Sequence, residues 1–337
     1  MKYALAFLLS LAMLVPGLSS ARGSDNPRTP NPGLIASPGA CGSECHKKEM
    51  AIWQRTKHAV SFDQLPSSDK ARKMMAKLGV TNMKRDATCI SCHFTPQTLR
   101  GQTRLIAGVG CESCHGEGRE WFEIHGDYGG KHITRQQEDP AHRQARISRS
   151  EAAGMVRPAK LHTLLRRCYD CHMGMDEKVV NQGGHTPLSD LDPLSWTQNK
   201  VGDYPTLRHN VFFTEHNAVA SPERRRLMYV LGVAMDLEYS LRALARGTVN
   251  GPFTTMAAQR AKGAARKLAA ISKQTPLPEI QGMMGAARKV RLKLGAASLL
   301  NGIANELKHY AGQLAAQRNG SELAALDGLI PWLPPKE

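Results

Sequence analysis

Apolar residues recur at spacings of three and four over much of the C-terminal third, which is the pattern of helices with a buried face. The clearest case runs from Ser221 to Gly247. Ser221 stands at the cap, Pro222 at the first helical position and Gly247 just past the end. Val230, Val233, Leu237, Leu241 and Leu244 form one stripe and Met228, Leu231, Met235 and Tyr239 a second, so this helix is expected to be buried on most sides. Further helices are predicted over 254–273, stopped by Pro276 and Pro278, over 279–294, and over 296–318, where Leu299, Ile303, Leu307, Tyr310 and Leu314 are in register. A short one follows at Ser321.

The first two thirds are patterned more weakly. Short helices are predicted after Cys45, over a segment carrying Trp53 and His58, and over 68–79, with Ser68 as cap and Gly79 at the end. Residues 116–130 read as a Gly-punctuated loop carrying Trp121, His125 and Tyr128. Residues 135–160 are polar, basic and poorly periodic, and 174–217 are loop-rich. No strand pattern of any length is evident. The expected fold class is mainly α with extensive loops.

The N-terminus has a different character. Lys2 precedes an apolar run from Tyr3 to Val15, broken by Pro16 and Gly17, and small residues follow up to Ala21. That is the layout of a cleavable leader over 1–21, and the run is too short to span a membrane. Export to the periplasm is the expectation, with no membrane span in the mature chain. Residues 22–40, rich in Pro, Gly and Ser, read as a linker.

The cysteines carry the chemistry. All eight fall in four units in which the second Cys is followed directly by His: Cys41/Cys45/His46, Cys89/Cys92/His93, Cys111/Cys114/His115 and Cys168/Cys171/His172. Three units are Cys-x-x-Cys-His, and the first has one extra spacer residue. A four-cysteine zinc site competes for the middle pair, because 18 residues separate Cys92 from Cys111. Neither zinc nor a disulfide framework needs the histidines. With 13 His in 337 residues, four such followers by chance come to roughly one in half a million. The units therefore predict four covalent c-type haems, with each following His as the proximal iron ligand. Reduced thiols captured by haem, rather than disulfides, are then expected.

Composition is compatible with this picture. Only 5% of residues are aromatic, and porphyrins would supply apolar volume that a protein-only core lacks. The formal charge of +16 predicts a basic surface that steers toward acidic partners. Nucleic acid is not expected, since the chain carries an export leader and shows no nucleic-acid-binding motif.

Nine histidines remain for the open faces of the irons. His58 lies 12 residues after His46. A helix between them would carry it about 18 Å away, so it is expected to reach a different haem. His309 sits on a polar helix face, and His132 and His142 lie in charged loops. His162 and His216 compete as ligands, and spacing does not choose between His209 and His216. Met173 and Met175 lie too close to their own unit for an easy approach.

Several stretches resemble multihaem cytochromes of the cytochrome c-554 type: WQRTKHA, GVGCESCHGEGREWFEIH, CYDCHMGMDEKVVNQGGHTPLSDLDPL and LRHN. The resemblance spans Cys41 to Leu244. Carried over residue by residue, it implies His58, His125, His185 and His209 as distal ligands. The chain departs from the family pattern in its three-residue first spacer, in the Gly-Gly-His-Thr-Pro turn around His185, and in the Asn after His209.

The expected organisation is thus a leader, a linker, a tetrahaem cytochrome domain over 41–217 and a C-terminal helical region over 218–337, that is, a multihaem cytochrome c core plus a helical bundle. The expected function is electron transfer in the periplasm between membrane-bound or soluble redox proteins with acidic docking surfaces. The alternative is an oxidoreductase in which one five-coordinate haem acts on a small nitrogen or sulfur species, with Arg119, Tyr128 or an unassigned histidine as acid–base group.

Overall fold

The computed structural model describes residues 30–188, 191–198, 200–201, 204–208 and 219–330. The leader, residues 22–29 of the linker, His209 and His216 lie outside them.

The N-terminal half is built of short helices, several of them started by a side-chain cap. A 3₁₀ turn at Pro32–Leu34 leads into α1 (Pro38–Gly42), capped by Ser37. The helix expected around Trp53 and His58 is two helices, α2 (Lys47–Trp53) and α3 (Lys57–Ser67). Thr56 breaks the run because its hydroxyl accepts from the Ala59 N–H and starts a new N-terminus. Ser68 caps α4 (Asp69–Leu78), which Gly79 ends in a left-handed conformation. A 3₁₀ turn, Met83–Arg85, then precedes α5 (Ala87–His93).

A hairpin follows that the sequence pattern did not predict. Strands β1 (Thr95–Leu99) and β2 (Gln102–Ala107) pair antiparallel, with Leu99 opposite Gln102. The two linking residues, Arg100 and Gly101, both have positive φ, 49° and 74°, which matches the twist of a two-residue hairpin. The strands are short and largely polar at their outer ends, so alternation is hard to read. Their inner ends are fixed by buried polar contacts. Thr95 Oγ1 donates to the Gly108 carbonyl at 2.6 Å and accepts from the Gly110 N–H at 3.1 Å, and the Gln97 amide donates to the carbonyls of Ile35 and Ala36.

Next come α6 (Cys111–His115), a 3₁₀ turn at Gly118–Glu120, α7 (Phe122–Gly126) and α8 (Pro140–Ala152). The last corrects the expectation of little structure over 135–160. Asp139 caps α8 and Pro140 begins it, while buried Arg146 and Ser150 form its inner face. A polar inner face hides a helix from any search for apolar periodicity. The chain continues through α9 (Leu161–His172), α10 (Glu177–Asn181) and α11 (Pro193–Gln198). A second small hairpin joins β3 (Lys200–Val201) to β4 (Tyr204–Arg208).

The C-terminal helices are α12 (Pro222–Arg246), α13 (Pro252–Gln274), α14 (Pro278–Arg288) and α15 (Ala297–Gln317), followed by a 3₁₀ segment, Ser321–Leu329. As the two stripes predicted, α12 is buried along nearly its whole length, packed against α9, α11, α13 and α15. Helix α14 stops at Arg288, six residues short of the expected end. Val290 and Leu292 pack on the core from a non-helical segment. The fold is mainly α with loops. Among the described residues no helix is long and apolar enough to cross a membrane.

Candidate haem-binding site

The four Cys…Cys-His units sit on or just after short helices, and this spacing puts each pair of thiols and its imidazole on one side of the backbone. The Asp86 carboxylate accepts from the Cys89 N–H at 3.1 Å and so fixes the start of α5. Helix α6 is the third unit itself, and the fourth closes the last turn of α9. The widened first unit keeps the same layout by a looser turn: the His46 N–H donates to the Cys41 carbonyl, five residues back, at 3.1 Å. One extra residue is thereby absorbed before α2 begins.

All eight cysteines are free thiols. Burial pushes Cys89 up to about 12 and Cys114 up to about 11, so both are held protonated. Two further thiol contacts cross between units. Cys41 shares a hydrogen bond with Cys111, and Cys92 with Cys171. The four cysteines between 89 and 114 therefore do not converge on one point, as a zinc site would require. Among the described residues no group of three or more His, Cys, Asp or Glu side chains is arranged to hold a metal ion alone.

Instead the units surround one large cavity of about 2430 Å³, lined by all eight cysteines and by His46, His58, His93, His115, His125, His172 and His185. A pocket for one small-molecule cofactor is commonly roughly 300–1,000 Å³, so this space has room for several porphyrins.

The imidazoles within it stand in opposed pairs. His46 and His125 have ring centres 6.1 Å apart and planes 16° apart. His58 faces His172 at 6.1 Å, and His93 faces His185 at 6.3 Å. Metal–nitrogen bonds of roughly 2 Å on each side of one ion, plus the reach from ring nitrogen to ring centre, put opposed imidazole centres about 6 Å apart. Each pair thus joins the His of one unit to a His remote in sequence. His58, expected to serve a unit other than the one it follows, lies opposite His172 of the fourth unit.

The ring nitrogens are set for this role. The Nδ1–H of His115 donates to the Val156 carbonyl at 2.9 Å, that of His125 to Phe122 at 2.5 Å and that of His185 to Thr186 at 3.0 Å. Such bonds fix the tautomer that leaves Nε2 with its lone pair free for a metal. Burial pushes His93 down to about 4, with His185 and His58 adding to the effect, and lowers His115 and His125 as well. These imidazoles are neutral at pH 7, the form that binds a metal. Trp121 stands edge-on to His125 at 5.1 Å and Trp196 to His172 at 5.0 Å, which restricts both rings.

The remaining histidines lie elsewhere. His309 is exposed beside Tyr310, His132 is exposed, and His142 bonds to Glu138 at 2.9 Å. The buried Nε2 of His162 has no partner, but this residue does not line the cavity. His209, one of the expected distal ligands, is outside the described residues.

Sequence reasoning missed the residues that frame the ligands. Glu112, inside the Cys111 unit, is buried and accepts from the N–H groups of Ala36, Ser37 and Gly118, tying the N-terminal arm to α6. Its place in the first turn of a helix was the available signal. Arg146 donates to the His125 carbonyl at 2.8 Å and is itself held by Glu138. No local pattern announces that contact.

Residues 40–116 match the family model described as cytochrome c554 and c-prime. Cytochrome c-554 of Nitrosomonas europaea is 35% identical over 91 residues, a match covering 25% of this chain and 39% of that protein. The chain thus spans about two fifths of the length of this relative. No solved structure matches. The matched stretch holds Cys41 to His115, so its first three units lie inside the family's region and the fourth outside it. Residues 40–116, which hold three of the four units with their paired thiols and following histidines, are thus similar to the cytochrome c-554 family of c-type haem proteins.

Proposed function

We propose that this protein is a periplasmic electron carrier holding four covalent c-type haems. The observation that carries the reading is the cavity in which eight free thiols accompany three opposed imidazole pairs. In this reading Cys41 and Cys45, Cys89 and Cys92, Cys111 and Cys114, and Cys168 and Cys171 form the thioether bonds, with His46, His93, His115 and His172 as proximal ligands. His125, His185 and His58 are the distal ligands of the first, second and fourth haem, in that order, and His209 that of the third. The leader over 1–21 delivers the chain to the periplasm, and the domains divide near residue 217.

Bound there, c-type haem supplies reversible one-electron exchange at iron. The chain's own residues govern how. Two neutral imidazoles per iron favour a low potential relative to His/Met ligation. The Val156, Phe122 and Thr186 carbonyls orient the ligand rings and raise their basicity. The Cys41–Cys111 and Cys92–Cys171 contacts bring the first unit beside the third and the second beside the fourth, and haems held there would be close enough to exchange electrons. Partners are redox proteins with acidic docking surfaces, which suits a chain of charge +16.

The test is the haem content of protein exported and purified with its haem. A pyridine haemochrome assay giving four haems per chain, unchanged by acid–acetone extraction, supports the reading. Fewer than four, or extractable haem, overturns it.

A further inference from the structure

The region from Lys70 to Arg85 holds six Lys or Arg residues and no Asp or Glu. It covers α4 except for its first residue, the exposed Asp69, and the turn after it. Ala71, Met74, Met75 and Leu78 face the cavity from α4, while Lys70, Arg72, Lys73 and Lys77 are exposed, as is Arg85 beyond it. One helix, about 10 Å across, therefore separates a predominantly basic surface, whose one acid, Asp69, pairs with Arg72, from the haem space. A helix that only needed solvation would do better with mixed charge, since like charges in a row repel.

The patch lies over a specific part of the site. Lys70 Nζ donates to Thr186 Oγ1 at 2.8 Å. A Cβ added at Gly184 would lie 3.6 Å from Lys77 Nζ. The two lysines thus bracket the exposed turn that carries His185, the imidazole opposite His93. Lys178 on α10 is exposed beside the same cavity mouth. Lys84 lies over the Phe62 ring at 3.6 Å, and Phe62 packs edge-on against Phe94, the neighbour of His93. The acids nearest in sequence are engaged: Asp69 pairs with Arg72, and Asp86 caps α5.

We propose that the outer face of α4 together with the Gly184–Thr186 turn is the docking surface for a small redox protein with an acidic patch, and that electrons cross there to the haem held between His93 and His185. This rests on the electron-carrier reading and adds where the partner sits and which haem it meets. Charge complementarity steers the approach, and a transient redox interface needs little area.

The experiment is stopped-flow reduction of the oxidised holoprotein by a reduced plant-type ferredoxin, an acidic donor, over a range of salt. Lys73→Glu with Lys77→Glu is compared with Lys262→Glu and Arg266→Glu, an equal charge change on exposed positions of α13. The expected second-order rate constant falls about tenfold or more for the α4 pair at low salt and less than about threefold for the α13 pair. The difference vanishes near 1 M salt, where the screening length is about 3 Å. Equal falls in both pairs, no fall in either, or a wild-type rate indifferent to salt overturns the docking surface. Should the glutamate pair lose haem, Lys73→Gln with Lys77→Gln decides by the same comparison. Haem counts on each protein keep the two claims apart: a wild-type count below four fails the four-haem reading, whereas the rate ratio between variants judges the docking surface alone.

Discussion

The rings of His46 and His125 face each other with centres 6.1 Å apart and planes inclined by only 16°. Seventy-eight residues separate them in sequence. His125 is held from behind by the Phe122 carbonyl, and Trp121 stands against its side. Replacing it with alanine removes one imidazole and leaves the eight cysteines untouched. His125→Ala is expected to convert one low-spin haem to high-spin, with added imidazole restoring the low-spin signal. Electron paramagnetic resonance of the oxidised variant checks this, and an unchanged low-spin count contradicts the pairing.

Gly108 packs against the chain at His58. A Cβ at this position would collide with the His58 carbonyl oxygen, which also accepts from the Val109 N–H at 3.0 Å. Gly108→Ala is expected to cost about 1–3 kcal/mol and to perturb the haem between His58 and His172. Denaturant unfolding together with the low-spin g-values measures both effects.

Glu238 is buried on α12 between Arg166, at 2.8 Å, and Arg242, at 2.9 Å. The same helix reaches the last unit through Tyr239, which donates to Asp170, and Asp236, which accepts from Tyr169. Glu238→Ala strands two arginines in the interior and is expected to destabilise by about 3–5 kcal/mol. Thermal or denaturant unfolding of the holoprotein tests it.

The Arg146 guanidinium holds the Glu138 carboxyl down from 4.5 to about 2, with His142 adding to the effect and desolvation opposing it. A depressed carboxyl contributes stability above its unfolded value and loses it as pH falls through the folded one. The tie from Glu138 through Arg146 to the His125 carbonyl is therefore complete above about pH 4.5 and is lost toward pH 2. Hydrogen exchange of the α8 amides should accelerate across that window. Glu138→Gln should exchange fast throughout and lose the dependence, and a variant that keeps it would refute the assignment.

How far these features can be read in advance depends on whether their cause is local. Helix α12 declares itself because cap, Pro and apolar stripes all lie within one segment. The four thiol units do so because their chemistry demands adjacent residues. Helix α8 escaped notice because Arg146 and Ser150, rather than aliphatic side chains, form its inner face. The first hairpin hides in short strands, although Arg100 and Gly101 mark its turn. The imidazole partnerships are the least legible. His58 and His172 are 114 residues apart, and only tertiary packing brings their rings within 6.1 Å of each other.

The central claim is that three pairs, His46 with His125, His58 with His172 and His93 with His185, each clasp one iron. Electron paramagnetic resonance with spin quantitation on the oxidised holoprotein tests this most directly. The account predicts four ferric haems per chain, at least three of them low-spin with bis-imidazole signatures and unreactive toward cyanide and nitric oxide. Two or more high-spin haems, or a low-spin set of the His/Met type, would contradict it.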